Sequence, residues 1–182
     1  MKKLIFILIS AVVFSACEGD TGPPGPPGPQ GPYIIGTVFE ISNVNFNPGN
    51  DYSFLGVFYD YIPSNIEIFP SDVVLIYLLE GVDNGNDIWS LMPQTFYLNG
   101  GGIAEYNYNH TVNDFQIFLS GNVNLNTLPP DFTQNQIFRI AILPADFAND
   151  AHTDIYNLES IIENLKAQNP QFEVIETELE DF

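Results

Sequence analysis

Few side chains in this 182-residue sequence have types and spacing suited to chemistry. Cys17 is the only cysteine, and a thiolate is the strongest nucleophile among the side chains. The two histidines, His110 and His152, stand far apart with no Gly-x-Ser-x-Gly turn to present a serine, so an acyl-transfer triad is not legible. A zinc or copper site needs clustered His and Cys, which two separated histidines do not supply. Asp83, Asn84, Asn86 and Asp87 crowd hard oxygen ligands into one stretch, the donor set that Ca²⁺ prefers. The EF-hand pattern fails there: Gly85 holds the third position and no Glu stands at the twelfth. Asp and Asn also favour tight turns with no metal, so the stretch is expected to be a hairpin loop, with calcium as its functional alternative. Carboxylates are plentiful, but no pair is singled out at a spacing that glycoside hydrolysis would require. No catalytic residue and no cofactor is therefore assigned. Arg139 is expected to pair with an acid across a strand, with ligand clamping as the alternative. Tyr106 and Tyr108 are expected to pack across strands, with a sugar-stacking platform as the alternative.

The elements around Cys17 explain what that residue is for. Met1-Lys2-Lys3 gives a positive start, Leu4 to Phe14 an apolar run, and Ser15-Ala16 a small-residue cleavage point. That order is a secretory signal. The run has 11 residues, whereas a spanning helix needs about 20, so residues 1–16 are a leader. Phe14-Ser15-Ala16-Cys17 resembles a bacterial lipobox, with Phe14 where Leu is commoner. The expected product is a chain that begins at Cys17 and carries a diacylglycerol thioether and an acylated amine. More than one acyl chain is what stable membrane attachment requires, so the lipid on Cys17 is the expected contact with the membrane. With that thiol used, no disulfide can form.

From Gly19 to Tyr33 the chain runs through five Gly-x-y triplets rich in proline. Glycine at every third position is the collagen pattern, because only glycine fits the triple-helix axis. Five triplets favour a single polyproline II strut, since a triple helix would need a trimerising body downstream and none is legible. At ~3.1 Å per residue the strut reaches roughly 45 Å. Residues 17–32 are thus read as a lipidated cysteine plus a collagen-like spacer, with a homotrimer as the less favoured arrangement.

Charge sets what the rest can bind. Four Lys+Arg face 23 Asp+Glu, for a formal charge of −19. Loss of Lys2 and Lys3 with the leader leaves Arg139 and Lys166 against all 23 acids, or −21. Binding to phosphate backbones depends on clustered Lys and Arg, which excludes nucleic acid as a partner. Anionic lipid surfaces are excluded likewise, and a body so charged must be held at a membrane by its lipid.

The stretch Cys17-Glu18-Gly19-Asp20-Thr21-Gly22-Pro23-Pro24-Gly25 resembles the start of a group of Bacteroidetes collagen-like lipoproteins. Asp72 to Glu80 and Asn135 to Ile140 also resemble that group. The resemblance implies a lipobox cysteine, a Gly-Asp-x-Gly-Pro-x-Gly opening and an Asn- and aromatic-rich β domain, with an outer-membrane location that extends in some members to the cell surface. Glu18 and Asp20 are similar to the acidic signals of such surface lipoproteins. It implies no established activity. Some relatives carry a dihydrolipoamide dehydrogenase label, and this chain lacks both the Gly-x-Gly-x-x-Gly turn and the second cysteine that such chemistry needs.

Residues 33–182 read as one all-β domain, an antiparallel β-sandwich with a C-terminal helix. Strands are expected at Ile34–Ser42, Tyr52–Tyr61, Val73–Leu79, Ile88–Met92, Thr95–Leu98, Ile103–His110, Phe115–Leu119 and Ile137–Leu143, separated by Gly, Pro, Asn and Asp. Val73 to Leu79 is apolar without alternation, as in a strand covered on both faces. Ile155, Leu158, Ile161, Ile162 and Leu165 follow helical spacing, with His152-Thr153-Asp154 as the expected cap and a short closing strand after Pro170. The sequence thus favours a lipid-anchored, non-enzymatic envelope protein. A glycan- or Ca²⁺-dependent binding module and a hydrolase built on buried carboxylates are the alternatives.

Overall fold

The computed structural model describes residues 36–150 and 153–179. The leader, Cys17, the spacer, the expected strand start at Ile34, His152 and the terminal acids Glu180 and Asp181 lie outside the described residues. Among the described residues, nine strands form two sheets. The first has five strands in the order β4 (Asn86–Leu91), β3 (Val73–Asp83), β8 (Gln136–Leu143), β1 (Thr37–Val44) and β9 (Ile175–Glu178). The second has four, in the order β2 (Ser53–Val57), β7 (Asp114–Gly121), β6 (Ile103–His110) and β5 (Gln94–Tyr97). Every pairing is antiparallel except β1 with β9, which run parallel. The two sheets are thus antiparallel-dominated, as expected of the sandwich, with the closing strand β9 as the parallel exception.

Period-2 alternation divides the apolar residues between two cores. Ile76, Phe39, Phe138 and Ile140 of the five-stranded sheet meet Phe115, Ile117 and Tyr106 of the four-stranded one, and all are at most 1% exposed. The other face of the five-stranded sheet presents Val38, Leu75, Tyr77, Ala141 and Leu143 to a helix. β3 is therefore covered on both faces, as its unbroken apolar run requires.

Short α1 (Pro130–Thr133) and α2 (Ala145–Ala148) flank β8. The covering helix is α3 (Leu158–Gln168), which turns Leu158, Ile161, Ile162 and Leu165 inward. Its cap differs from expectation. Asn157 has extended φ, and its side chain accepts from the Ser160 N–H at 3.3 Å, so Ile155 precedes the helix. The five-stranded sheet thus lies between the helix and the second sheet. The outer face of the four-stranded sheet carries no such cover among the described residues.

Candidate functional site

The calcium candidates form the β3–β4 hairpin itself. Asn84 and Gly85 have φ of 50° and 85°, the positive values that a two-residue type I′ turn demands. Asp83 pairs with Asn86, and Val82 with Asp87. Paired residues share a face and successive residues alternate, so Asp83 and Asp87 project to opposite sides of the ribbon. Asn84 Nδ2 bonds to Asp83 Oδ1 at 3.1 Å. Asp83 and Asp87 therefore do not share one face, whereas Ca²⁺ takes 6–8 oxygens converging on one point; the stretch forms the expected hairpin. Among the described residues, no cluster of three or more His, Cys, Asp or Glu could hold a metal ion.

Asp87 instead belongs to the surroundings of Arg139. Arg139 Nε donates to Glu40 Oε2 at 2.8 Å, across the β8–β1 pairing in which these two residues are partners. Its guanidinium carbon lies 4.2 Å from the centroid of the Trp89 ring, and one terminal nitrogen is 4.0 Å from Asp87 Oδ2. The Glu40 and Arg139 side chains are each 18% exposed. The cation is engaged on three sides, which is a structural role and leaves little for a ligand. Arg139→Met should cost about 1–3 kcal/mol by leaving the largely buried Glu40 carboxylate without its partner. Denaturant unfolding checks this, and adding Glu40→Gln should recover part of the loss, as a double-mutant cycle resolves.

His110 is exposed, and its Nδ1 lies 3.1 Å from the Thr111 carbonyl. It borders a hollow of about 290 Å³ with Asp72 and Val112, where the Asp72 carboxylate accepts the Phe69 N–H at 2.9 Å. A base aimed at a nucleophile is not assembled there. Tyr106 and Tyr108 point into the inter-sheet core. The Tyr106 hydroxyl donates to the Phe132 carbonyl, and that of Tyr108 to the Val74 carbonyl at 3.2 Å. Burial raises both phenol pKa values. The packing expectation holds, and the sugar-platform alternative fails for this row. No carboxylate is buried among the described residues, whose buried polar groups are Thr37 and Thr133. The pair of inward acids that the hydrolase alternative required is not present among them.

The opposite side of β6 carries the most organised polar surface. Thr95, Glu105, Asn107, Asn109, Gln116, Phe118 and Ser120 project from the outer face of the four-stranded sheet. Asn107 Nδ2 donates to Ser120 Oγ at 3.1 Å, Asn109 Nδ2 to Gln116 Oε1 at 3.3 Å, and Thr95 Oγ1 to Glu105 Oε1 at 3.2 Å. A hollow of about 370 Å³ opens on this face beside Ser53, Asn109, Gln116 and Phe118. Alternation along Ile103–His110 puts Glu105, Asn107 and Asn109 on one side of the strand. The β6–β7 register, which sequence pattern does not give, brings Gln116 and Ser120 against them. No protein-family model, curated protein or solved structure matches the chain.

Proposed function

We propose that this is an exported lipoprotein, fastened to the outer membrane by acyl chains on Cys17, that displays an acidic β-sandwich for non-covalent interaction. The observation that carries the reading is the place of the one cysteine. It stands where the leader should end, directly before five Gly-x-y triplets. The resemblance to collagen-like lipoproteins of Bacteroidetes supports the outer-membrane location. The fold suits display: its core is filled by aromatic and aliphatic side chains, and its carboxylates face outward. With −21 on the mature chain, the body is repelled by anionic surfaces, so the lipid supplies the attachment and the rod the clearance. Among the described residues no helix is long and apolar enough to cross a membrane.

Cys17→Ser tests the reading. Cells fed a fatty acid with a clickable tag should label the wild-type chain and leave the variant unlabelled. The variant should move from the membrane to the soluble fraction. An unlabelled wild type, or unchanged fractionation of the variant, would overturn the anchor.

A further inference from the structure

We propose that the outer face of the four-stranded sheet binds an uncharged oligosaccharide, in the hollow where Asn109, Gln116 and Phe118 meet. The inference deepens the display reading, yet its geometry is independent of lipidation.

Three features of the face lead to this class of ligand. Its amides are paired only by halves. With Asn107 Nδ2 held by Ser120 and Asn109 Nδ2 by the Gln116 carbonyl oxygen, Asn107 Oδ1, Asn109 Oδ1, Gln116 Nε2 and the Ser120 hydroxyl proton make no other hydrogen bond among the described residues. That leaves acceptors and donors in fixed positions, each amide braced by its neighbour. Sugar hydroxyls both donate and accept, so a run of them matches such a mixed row, whereas a carboxylate or an ammonium group matches only half of it.

The second feature is shape. Of these amides, Asn109 and Gln116 border a concavity of about 370 Å³ that Phe118 also lines, and Tyr97, 83% exposed, projects from the same face at its β5 edge. A few converging polar groups beside an apolar aromatic surface are what a small-molecule site needs, and the ring offers the apolar face of a sugar a partner.

Charge decides between neutral and anionic ligands. Asp51, Glu105 and Asp114 surround this face. The two basic residues of the mature chain lie elsewhere: Arg139 is on the outer face of the five-stranded sheet and Lys166 on α3. Sulfated or uronic-acid glycans would thus be repelled.

The test uses the whole exported chain carrying Cys17→Ser, so that anchoring and binding are read separately. Calorimetry against cellohexaose, maltohexaose, mannohexaose and xylohexaose should find saturable binding to at least one. Oligogalacturonate should give none. Amide NMR shifts during that titration should fall on residues 105–109 and 116–120. Asn107→Ala and Gln116→Ala should each weaken binding about fivefold or more, the usual effect of one lost hydrogen bond. Phe118→Ala should do likewise, and Tyr156→Ala, on the helix side, should leave binding unchanged. Failure of all four neutral sugars to bind, or binding that shifts other residues and survives all three substitutions, overturns the proposal. So does equal binding of oligogalacturonate. The shift map keeps the test decisive if a variant folds poorly.

Discussion

Phe115→Ala should remove about 3–5 kcal/mol of folding stability, the cost of deleting a fully buried aromatic ring and leaving its cavity. The reason is position. Phe115 is 0% exposed and lies at the junction of both sheets and the segment after β2. Its ring centroid is 5.2 Å from that of Phe58, 5.8 Å from Phe39, 5.9 Å from Tyr61 and 6.1 Å from Phe54. Each such aromatic pair adds about 0.5–1.5 kcal/mol beyond the area it buries. Gly56, its cross-strand partner, makes room for it: a Cβ there would come 2.4 Å from Phe115 Cζ. A typical domain holds 5–15 kcal/mol in all, so the variant should melt about 10 °C or more below wild type. Phe115→Leu, which keeps most of the volume, should lose distinctly less. A melting temperature for Phe115→Ala within a degree or two of wild type would mean that the rings do not share one core.

The same region shows what the sequence could and could not reveal. Ile103–His110 is found with the bounds expected, because alternation and flanking turns both mark it. β3 continues past Leu79 to Asp83, through a register shift between Leu79 and Gly81 where side chains turn to solvent and the apolar signal ends. β2 stops at Val57, short of the expected Tyr61. The backbone enters a 3-10 turn over Phe58–Asp60, and the Phe58 N–H goes to the Asn113 carbonyl at 2.9 Å. Nothing in Phe-Tyr-Asp announces that change of partner; it is set by a residue more than 50 positions away.

Sheet order was illegible for the same reason. The apolar stretch after Pro170 suggests a closing strand, but Phe172 is spent under α3, and pairing begins only at Ile175, parallel to β1. Local pattern assigns faces and periods. Which strands become neighbours depends on the whole packing, and so does the amide row, which exists only once β6 and β7 are in register. The chemistry of single residues was easier to read. Arg139 has no acid on its own strand, so a partner across a strand is expected of a cation inside an otherwise apolar strand, where an unpaired charge is costly; that the acid is Glu40 is set by the register.

Raising the pH should unfold this protein well before its backbone is threatened, because folding holds tyrosines in their neutral form. Tyr77 is 0% exposed and Tyr106 is 1% exposed. The Tyr77 hydroxyl donates to the Ile155 carbonyl at 2.5 Å, and that of Tyr106 to the Phe132 carbonyl and to Gln136 Oε1 at 3.2 Å. A phenolate could make none of these bonds. Burial is the main cause that raises the Tyr77 pKa far above that of a free phenol, with smaller additions from Tyr108 and Asp154, and burial alone raises that of Tyr106. The unfolded chain ionises these groups near pH 10. Below that pH both states are protonated and the stabilisation is complete. Above it the unfolded state sheds protons that the native state keeps, so stability falls as pH rises. Each tyrosine contributes up to about 1.4 kcal/mol per pH unit, and the two together approach about 3 kcal/mol per unit roughly one unit above pH 10. Urea unfolding measured from neutrality to about pH 12 should trace that slope. Tyr77→Phe with Tyr106→Phe should make it shallower, leaving the part due to Tyr61 and Tyr108, whose phenols burial also raises, while costing about 1 kcal/mol per lost hydrogen bond at neutral pH. If phenolate absorbance rose for all nine tyrosines in one step near the free-phenol pKa, with the fold intact, the buried hydroxyls would be no part of what holds the sandwich together.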